Sequence, residues 1–262
     1  MKRISHWTED KIQRFIKEGR GSGEGQNYKP WLTIQDVPSE GVTERKWGWK
    51  TKRIHHFLSQ LECQVFYAFE WSDCVIDIKE QYPLNRNSTV EIAEKLNIKH
   101  PKYPNSDVTT VLTTDFVIKV ADKQGYKTYA RTVKMSKDLE KRRTIEKLEI
   151  ERVYWENRGI DWGIITENEI NKYFAKNMEY IHSSYFLPDD LQEKALCYQQ
   201  DLILLINNTE GTYLELLKHF SSLMGISIEE SIAIFKHLVA RKKITINMFE
   251  DFSLYLPNKT IG

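Results

Sequence analysis

The sequence is poor in cysteine, has no long apolar run and carries almost no excess charge of either sign. Its three cysteines, Cys63, Cys74 and Cys197, are an odd and scattered set within 262 residues. They fit neither a disulfide framework nor the spacing of a zinc site, so we expect buried, reduced thiols. No apolar run reaches membrane-spanning length, and the first residues lack the apolar core of a signal peptide. We therefore expect a soluble, intracellular protein.

The charge balance limits how the chain can bind nucleic acid. It has 38 basic and 37 acidic residues, for a net charge of +1, whereas a protein that binds nucleic acid alone usually has a clear basic excess. Any DNA binding must use a local basic face or depend on a partner. Hydrophobic residues make up 40% of the chain, which is enough for one large domain or two ordinary ones.

The first two thirds of the sequence alternate between helical and strand-like patterns. Thr8 is a suitable N-cap for a short helix, which a glycine cluster at 19–25 ends. Ile145, Leu148, Val153 and Trp155 are expected to face inward on a long helix that Gly159 ends. The predicted helices cover 8–18, 54–70 and 139–158, and the predicted strands 72–78, 116–120, 129–133 and 161–166. This order predicts an α/β core with a mixed sheet flanked by helices, over residues 1–168.

The remainder, residues 169–262, has a different pattern. Three helices are predicted, at roughly 190–206, 212–224 and 228–241, the last with a capping box formed by Ser227 and Glu230. Two alternating runs at 244–249 and 252–256 then indicate a β-hairpin. Three helices followed by a hairpin predict a winged-helix-like domain, which binds either DNA or protein.

Two neighbouring strands present one acidic and one basic residue at their ends. Asp115 lies near the start of one strand and Lys134 directly follows the next. If the strands are antiparallel neighbours, both residues lie at the same edge of the sheet, where Glu62 of the preceding helix can face them. Two carboxylates suit Mg²⁺, and a nearby ammonium can stabilise charge on a phosphodiester. Taken singly, each residue also has an ordinary interpretation as a solvated edge or helix-surface residue.

Several longer segments carry a resemblance to a known family. In chain order they cover residues 17–21, 28–38, 52–62, 70–71, 77–84, 113–116 and 146–155, which together span nearly the whole first domain. With these segments the sequence resembles the TnsA family, the endonuclease subunits of bacterial transposons with heteromeric transposases. The second domain matches mainly in length and predicted architecture.

The resemblance implies a restriction-endonuclease-like catalytic domain that cuts the 5′ ends of the transposon in the presence of Mg²⁺, with Mn²⁺ as an alternative. It implies that Glu62, Asp115 and Lys134 are the catalytic acid, the metal-binding aspartate and the catalytic lysine. The implied partners are double-stranded DNA at transposon ends, a DDE-type transposase subunit (TnsB) and an ATPase regulator (TnsC), with no membrane. The implied location is the bacterial cytoplasm, at the nucleoid during transposition.

One position departs from the family pattern. Two residues before the lysine the family commonly has Gln or an acid, whereas this chain has Thr132, whose hydroxyl is a poorer metal ligand. The backbone carbonyl of Thr132 or Val133 can still serve, so we expect the metal ligands to be Glu62, Asp115, Thr132 and Val133.

The basic residues ahead of Glu62 have two interpretations, an ordinary charged loop or a strip that positions DNA phosphates. We expect DNA contacts from Arg20, Lys50, Lys52, Arg53, His55 and His56, with the two histidines at a helix start. Glu149 and Glu151 are expected to pair with basic residues on the solvated face of the long helix.

Two alternatives to the endonuclease subunit stay open. One is a non-catalytic assembly subunit that bridges the transposase and its ATPase regulator, with Thr132 marking a decayed site. The other is a free-standing defence nuclease of the same fold, which would cut DNA without any partner.

Overall fold

The computed structural model describes residues 7–37 and 43–258. The chain divides into two compact units, Met1–Ile170 and Asn171–Gly262. Pro38, at the end of one of the segments that carry the resemblance, lies outside the described residues.

The first unit is an α/β structure built on a four-stranded mixed sheet. In spatial order the strands are β3, β4, β5 and β6; the first two pairs are antiparallel and β5–β6 is parallel. A separate antiparallel pair, β1–β2, precedes them. The elements are α1 (Glu9–Lys17), β1 (Glu44–Trp47), β2 (Ile54–Phe57), α2 (Gln60–Trp71), β3 (Val75–Pro83), α3 (Arg86–Lys95), β4 (Thr113–Asp122), β5 (Gly125–Val133), α4 (Arg142–Glu156) and β6 (Asp161–Ile165).

Helices cover both faces of this sheet. On one face, Ile150 and Trp155 of α4 pack with Ala93 of α3 against Val117 and Ala130 of the central strands. The other face is covered by an aromatic cluster in which Phe69 of α2 lies 5.3 Å from Phe116 and Phe57 of β2 lies 6.2 Å from Phe116, between ring centroids. The predicted mixed α/β architecture is therefore confirmed.

Several local predictions hold and others fail. Thr8 caps α1 through the amide of Lys11, and Gly159 has the left-handed φ of 65° that suits a helix end. Within the predicted helix 54–70, however, residues 54–57 form β2, because they pair with β1 and Ser59 caps a helix that starts only at Gln60. Ile145, expected to face inward, is exposed.

The cysteine prediction is only partly right. Cys63 is buried, but Cys74 and Cys197 are exposed, and all three are free thiols. Among the helices of residues 7–37 and 43–258, none is both long and apolar enough to cross a membrane.

The second unit is helical. It contains the three predicted helices and a further one, α5, that follows the N-cap Asn171. The predicted capping box of Ser227 and Glu230 is confirmed. The helices are α5 (Lys172–His182), α6 (Asp189–Asn208), α7 (Tyr213–Met224) and α8 (Ile228–Ala240).

The hairpin predicted at 244–256 is wrong, because neither run forms a strand. The backbone carbonyls of Leu254 and Leu256 accept instead from the first-turn amides of Leu214 and Tyr213 in α7, at 2.8 and 3.1 Å. The side-chain amide of Asn177 donates to the carbonyls of Met248 and Glu250. The backbone carbonyls of these segments therefore accept from a helix terminus and from a side chain rather than from each other, and the predicted wing does not form over residues 244–256.

Candidate active site

Asp115 and Lys134 lie together, as predicted, at the edge of the sheet where β4 begins and β5 ends. Lys134 Nζ lies 2.9 Å from Asp115 Oδ2 and 2.7 Å from the carbonyl oxygen of Val133. The backbone amide of Val133 also donates to Asp115 Oδ2 at 2.7 Å. Asp115 is buried and thus holds a fixed position, with its carboxylate bound to the residues that end β5.

Glu62 reaches the same place from the first turn of α2. Its Oε1 accepts from the Ser59 hydroxyl at 2.9 Å and its Oε2 from the Leu58 amide at 3.0 Å, while the Ser59 hydroxyl caps the helix through the Glu62 amide. This local network follows from a serine three residues before a glutamate. It fixes the buried carboxylate of Glu62 at the N-terminal end of the helix.

Gln81 lies between these two carboxylates and was not singled out from the sequence. Its Nε2 is 3.4 Å from Glu62 Oε2 and 3.4 Å from Asp115 Oδ1. The backbone of Gln81 has a φ of 48°, in the left-handed region that a strand residue seldom adopts. This backbone conformation breaks the alternation of β3, so that the Gln81 side chain turns toward the carboxylates.

Burial and mutual repulsion set the electrostatics of the site. Burial and the charge of Asp115 raise the pKa of Glu62 to about 7. Burial lowers the pKa of Lys134, but the Asp115 carboxylate outweighs it, and the net pKa lies above the ordinary lysine value. Lys134 is thus protonated at neutral pH, and the region holds more carboxylate than one ammonium can balance.

The side chain of Thr132 is committed elsewhere. Its hydroxyl donates to Glu151 Oε1, which also accepts from the Thr114 hydroxyl at 2.6 Å and the Trp162 indole at 3.1 Å. Glu151 is therefore a buried carboxyl under the sheet rather than a member of a solvated face, and the prediction for it was wrong. Glu149 does pair with Arg152 as expected, at 2.8 Å. The Thr132 hydroxyl is thus bound to Glu151, so a metal contact from this residue stays as predicted, through its backbone carbonyl.

The carboxyl of Glu151 leads to a pH-dependent prediction. Burial and the Asp115 charge raise its pKa to about 7. Between its ordinary pKa and 7 the folded chain binds a proton that the unfolded chain has lost, so stability falls as pH rises. Between pH 4.5 and pH 7.5 in EDTA, we expect the unfolding free energy of wild type to decrease by on the order of 3 kcal/mol more than that of Glu151→Gln. Urea denaturation of both proteins at the two pH values measures this difference. Parallel pH profiles for the variant and wild type would contradict this.

An open cleft lies beside these groups. It has a volume of about 530 Å³, and it is lined by Ser59, Gln60, Leu61, Glu62, Gln64, Val133, Lys134, Met135, Asp138 and Glu167. Glu167 accepts from the amide and hydroxyl of Ser136, at 2.8 and 2.5 Å, and so fixes the turn after Lys134. The carboxylate of Glu62 and the ammonium of Lys134 therefore face a space that is open to a large substrate.

Two of the residues expected to contact DNA are buried instead. Arg53 Nη2 lies 2.5 Å and His55 Nδ1 2.8 Å from Glu80 Oε2, and His55 Nε2 contacts the Thr51 hydroxyl at 2.6 Å. All of these side chains are buried. Arg53 and His55 therefore hold β2 against β3, and they leave no surface for a phosphate. Both histidines also belong to a strand rather than to a helix start.

The other expected DNA contacts have mixed positions. The Arg20 guanidinium contacts Asp36 at 2.6 Å and the Trp31 carbonyl at 3.1 Å, and so it links its own segment to residues 31–36. Lys50 Nζ donates to the carbonyl of Ser72 at 2.8 Å. His56 is partly buried and Lys52 is exposed. Of the six, Lys52 is the residue whose side chain is most open to a phosphate.

The oxygen atoms at this site fit a divalent cation. The donors are two carboxylates from separate elements and the Val133 carbonyl, all of them hard oxygens. Burial and, after it, the Asp115 charge raise the pKa of Glu62, and a cation between the two carboxylates would offset the repulsion between them. Within residues 7–37 and 43–258, no group of three or more His, Cys, Asp or Glu residues is arranged to hold a metal, so any metal here needs backbone, amide or water oxygens as well.

Comparisons with known proteins identify the family of the chain. Residues 72–167 match the family model described as TnsA-like endonuclease N terminal, and residues 169–248 match that described as TnsA endonuclease C terminal. The chain is 36% identical over 249 residues to the transposon Tn7 transposition protein TnsA of Escherichia coli, an alignment that covers 95% of this chain and 89% of that protein. On this similarity over nearly its whole length, the chain belongs to the TnsA endonuclease family.

Proposed function

We propose that this chain is a Mg²⁺-dependent DNA endonuclease subunit of a heteromeric transposase, which hydrolyses the phosphodiester at the 5′ ends of the transposon. The observation that carries the proposal is the convergence of Glu62, Asp115 and Lys134 beside an open cleft, with Lys134 Nζ 2.9 Å from Asp115. Membership of the TnsA family supports this function. The mixed sheet with helices on both faces is consistent with a restriction-endonuclease-like fold for the first unit.

The carboxylates of Glu62 and Asp115 and the carbonyl of Val133 would hold the Mg²⁺, for which Mn²⁺ can substitute. A divalent cation in such a place polarises the phosphodiester and lowers the pKa of a bound water. Asp115 has a second task, because the same carboxylate fixes both the Val133 amide and the Lys134 ammonium. Removal of Asp115 would therefore disturb the position of Lys134 as well as metal binding.

Lys134 acts in this proposal as a fixed positive charge. Its pKa lies above the ordinary lysine value, because Asp115 outweighs the effect of burial. An ammonium that stays protonated at neutral pH cannot accept a proton from water, but it can stabilise the negative charge that develops on the phosphate oxygens. No nucleophilic serine or cysteine is required, since water attacks the phosphorus.

The proposed partners are double-stranded DNA at transposon ends, the transposase subunit TnsB and the ATPase regulator TnsC. The net charge of +1 favours cutting that depends on a partner, because weak intrinsic DNA affinity follows from the lack of a basic excess. Lys52, with Lys50 and His56 nearby in sequence, is the proposed contact for DNA phosphates.

Strand-resolved cleavage of labelled transposon-end DNA tests this function. The reaction would contain Mg²⁺ and this chain, with and without its cognate transposase subunit. We expect a cut at the 5′ end that requires both the transposase and Mg²⁺ and that Asp115→Ala abolishes. Cutting by the chain alone would indicate a free-standing nuclease, and joining that needs the chain without any 5′ cut would indicate an assembly subunit.

A further inference from the structure

The side-chain amide of Gln81 contacts both carboxylates of the site. Gln81 is 2% exposed, and its Nε2 lies 3.4 Å from an oxygen of Glu62 and 3.4 Å from an oxygen of Asp115. The amide group therefore occupies the region between two negatively charged groups. A partly positive NH₂ stands where the surrounding oxygens favour a cation.

The backbone around Gln81 is built to hold this side chain in place. On one side, Glu80 is fixed by Arg53 and His55. On the other side, Tyr82 packs against Trp155 at 5.7 Å between ring centroids. The carbonyl of Gln81 itself accepts from the Trp31 amide at 3.1 Å. A positive φ costs free energy at a residue other than glycine, and these contacts of the neighbouring residues hold Gln81 in that conformation.

The oxygen of the Gln81 side-chain amide contacts a hydroxyl, which can act either as a hydrogen-bond donor or as an acceptor. The Thr113 hydroxyl donates to Gln81 Oε1 at 3.2 Å. A hydroxyl can donate or accept a hydrogen bond, whereas each end of a carboxamide can do only one of these. If the carboxamide turns over, Thr113 can accept from Nε2, and Oε1 then faces Glu62 and Asp115.

We propose that Gln81 is a direct oxygen ligand of the divalent cation: its NH₂ bridges the two carboxylates in the metal-free chain, and its carboxamide turns over to present Oε1 when the cation binds. This inference rests on the proposed metal-dependent function. It adds the side-chain ligand that Thr132 does not supply, since the Thr132 hydroxyl is bound to Glu151. Amide oxygens are hard donors that suit Mg²⁺, Mn²⁺ and Ca²⁺.

Calorimetric titration of the full-length, metal-free chain with Mn²⁺ in the absence of DNA tests the inference. Gln81→Met keeps the length and lack of branching of the side chain but removes both polar atoms, and we expect it to weaken Mn²⁺ binding by about tenfold or more. Gln81→Glu supplies a charged oxygen ligand, and we expect it to bind Mn²⁺ more tightly than wild type. Gln124→Met, in the exposed turn between β4 and β5 at the opposite end of these strands, is the matched control and should bind Mn²⁺ as wild type does.

Several outcomes would overturn the inference. Binding of Mn²⁺ by Gln81→Met within twofold of wild type would show that Gln81 is not a ligand, while the proposed function would stand. Equal weakening by Gln81→Met and Gln81→Glu would show a purely structural role. If Gln81→Met fails to fold, as judged by circular dichroism, Gln81→Glu decides alone, and binding no tighter than wild type refutes the proposal. Absence of Mn²⁺ binding by the wild type would instead remove the proposed function itself.

Discussion

Replacement of Lys134 by methionine is expected to lower the rate of 5′-strand cleavage by about a hundredfold to a thousandfold. The variant removes the ammonium that lies 2.9 Å from Asp115 while it keeps the apolar stem of the side chain. Because the ammonium faces the cleft, the effect should appear in the rate of the chemical step. Single-turnover cleavage with saturating transposase and Mg²⁺ measures it.

Lys123→Met is the matched control for this prediction. Lys123 is exposed at the turn that joins β4 and β5, at the opposite end of the same two strands. The substitution makes the same change of charge, so any general effect of charge on DNA binding should appear in both variants. Cleavage by Lys134→Met at the wild-type rate, or an equal loss in Lys123→Met, would contradict the assigned role.

Substitution of Glu80 by glutamine is expected to lower the free energy of unfolding by about 3–5 kcal/mol. The carboxylate is fully buried and accepts from Arg53, His55 and the His56 amide. Loss of its charge leaves the Arg53 guanidinium buried without a counterion, which is the costly way to break an ion pair. Urea denaturation of the metal-free chain at pH 7.5 measures the effect.

The pH dependence of stability gives an independent test of the same group. Burial opposes ionisation of Glu80, but His55 and Arg53 outweigh it, and the pKa lies well below the ordinary value. As the pH falls, Glu80 therefore binds a proton in the unfolded chain before it does so in the folded chain. The stabilisation that its charge provides is present above the ordinary carboxyl pKa and is lost as pH falls below it. Glu80→Gln should show a shallower loss of stability in acid than wild type.

An exposed ion pair provides the control for Glu80. Glu149→Gln makes the same change of charge at a surface pair with Arg152, and it should change the free energy of unfolding by no more than about 0.5 kcal/mol. A loss of several kcal/mol in Glu149→Gln, or a negligible one in Glu80→Gln, would show that the buried network is not what holds β2 against β3.

The parts of the site that sequence reasoning could locate are those with local signals. Alternation along two neighbouring strands is enough to place Asp115 and Lys134 at one edge of the sheet, since an antiparallel pair brings the start of one strand to the end of the next. Glu62 has a local signal too, because Ser59 and Glu62 form a helix start. The family resemblance then adds the chemical roles, which no periodicity contains.

The residues that sequence reasoning missed depend on long-range contacts. Glu151 looks like one charged residue among many on α4, and only the packing of α4 on the sheet brings it under Thr114 and Thr132. Gln81 has a place in the site because its backbone leaves the strand conformation, which no residue type in the segment signals. In the second unit, the runs at 244–256 have strand-like alternation, but the free amides of α7 and the side chain of Asn177 compete for their carbonyls.

The central claim is that Glu62 and Asp115 together hold a divalent cation beside Lys134. A crystal structure of the chain soaked in Mn²⁺, with anomalous diffraction at the manganese edge, tests it most directly. We predict an anomalous peak in contact with carboxylate oxygens of both Glu62 and Asp115, which disappears in crystals of Asp115→Asn. A structure with Mn²⁺ bound elsewhere, or with the two carboxylates well ordered and no peak between them at saturating Mn²⁺, would contradict the account.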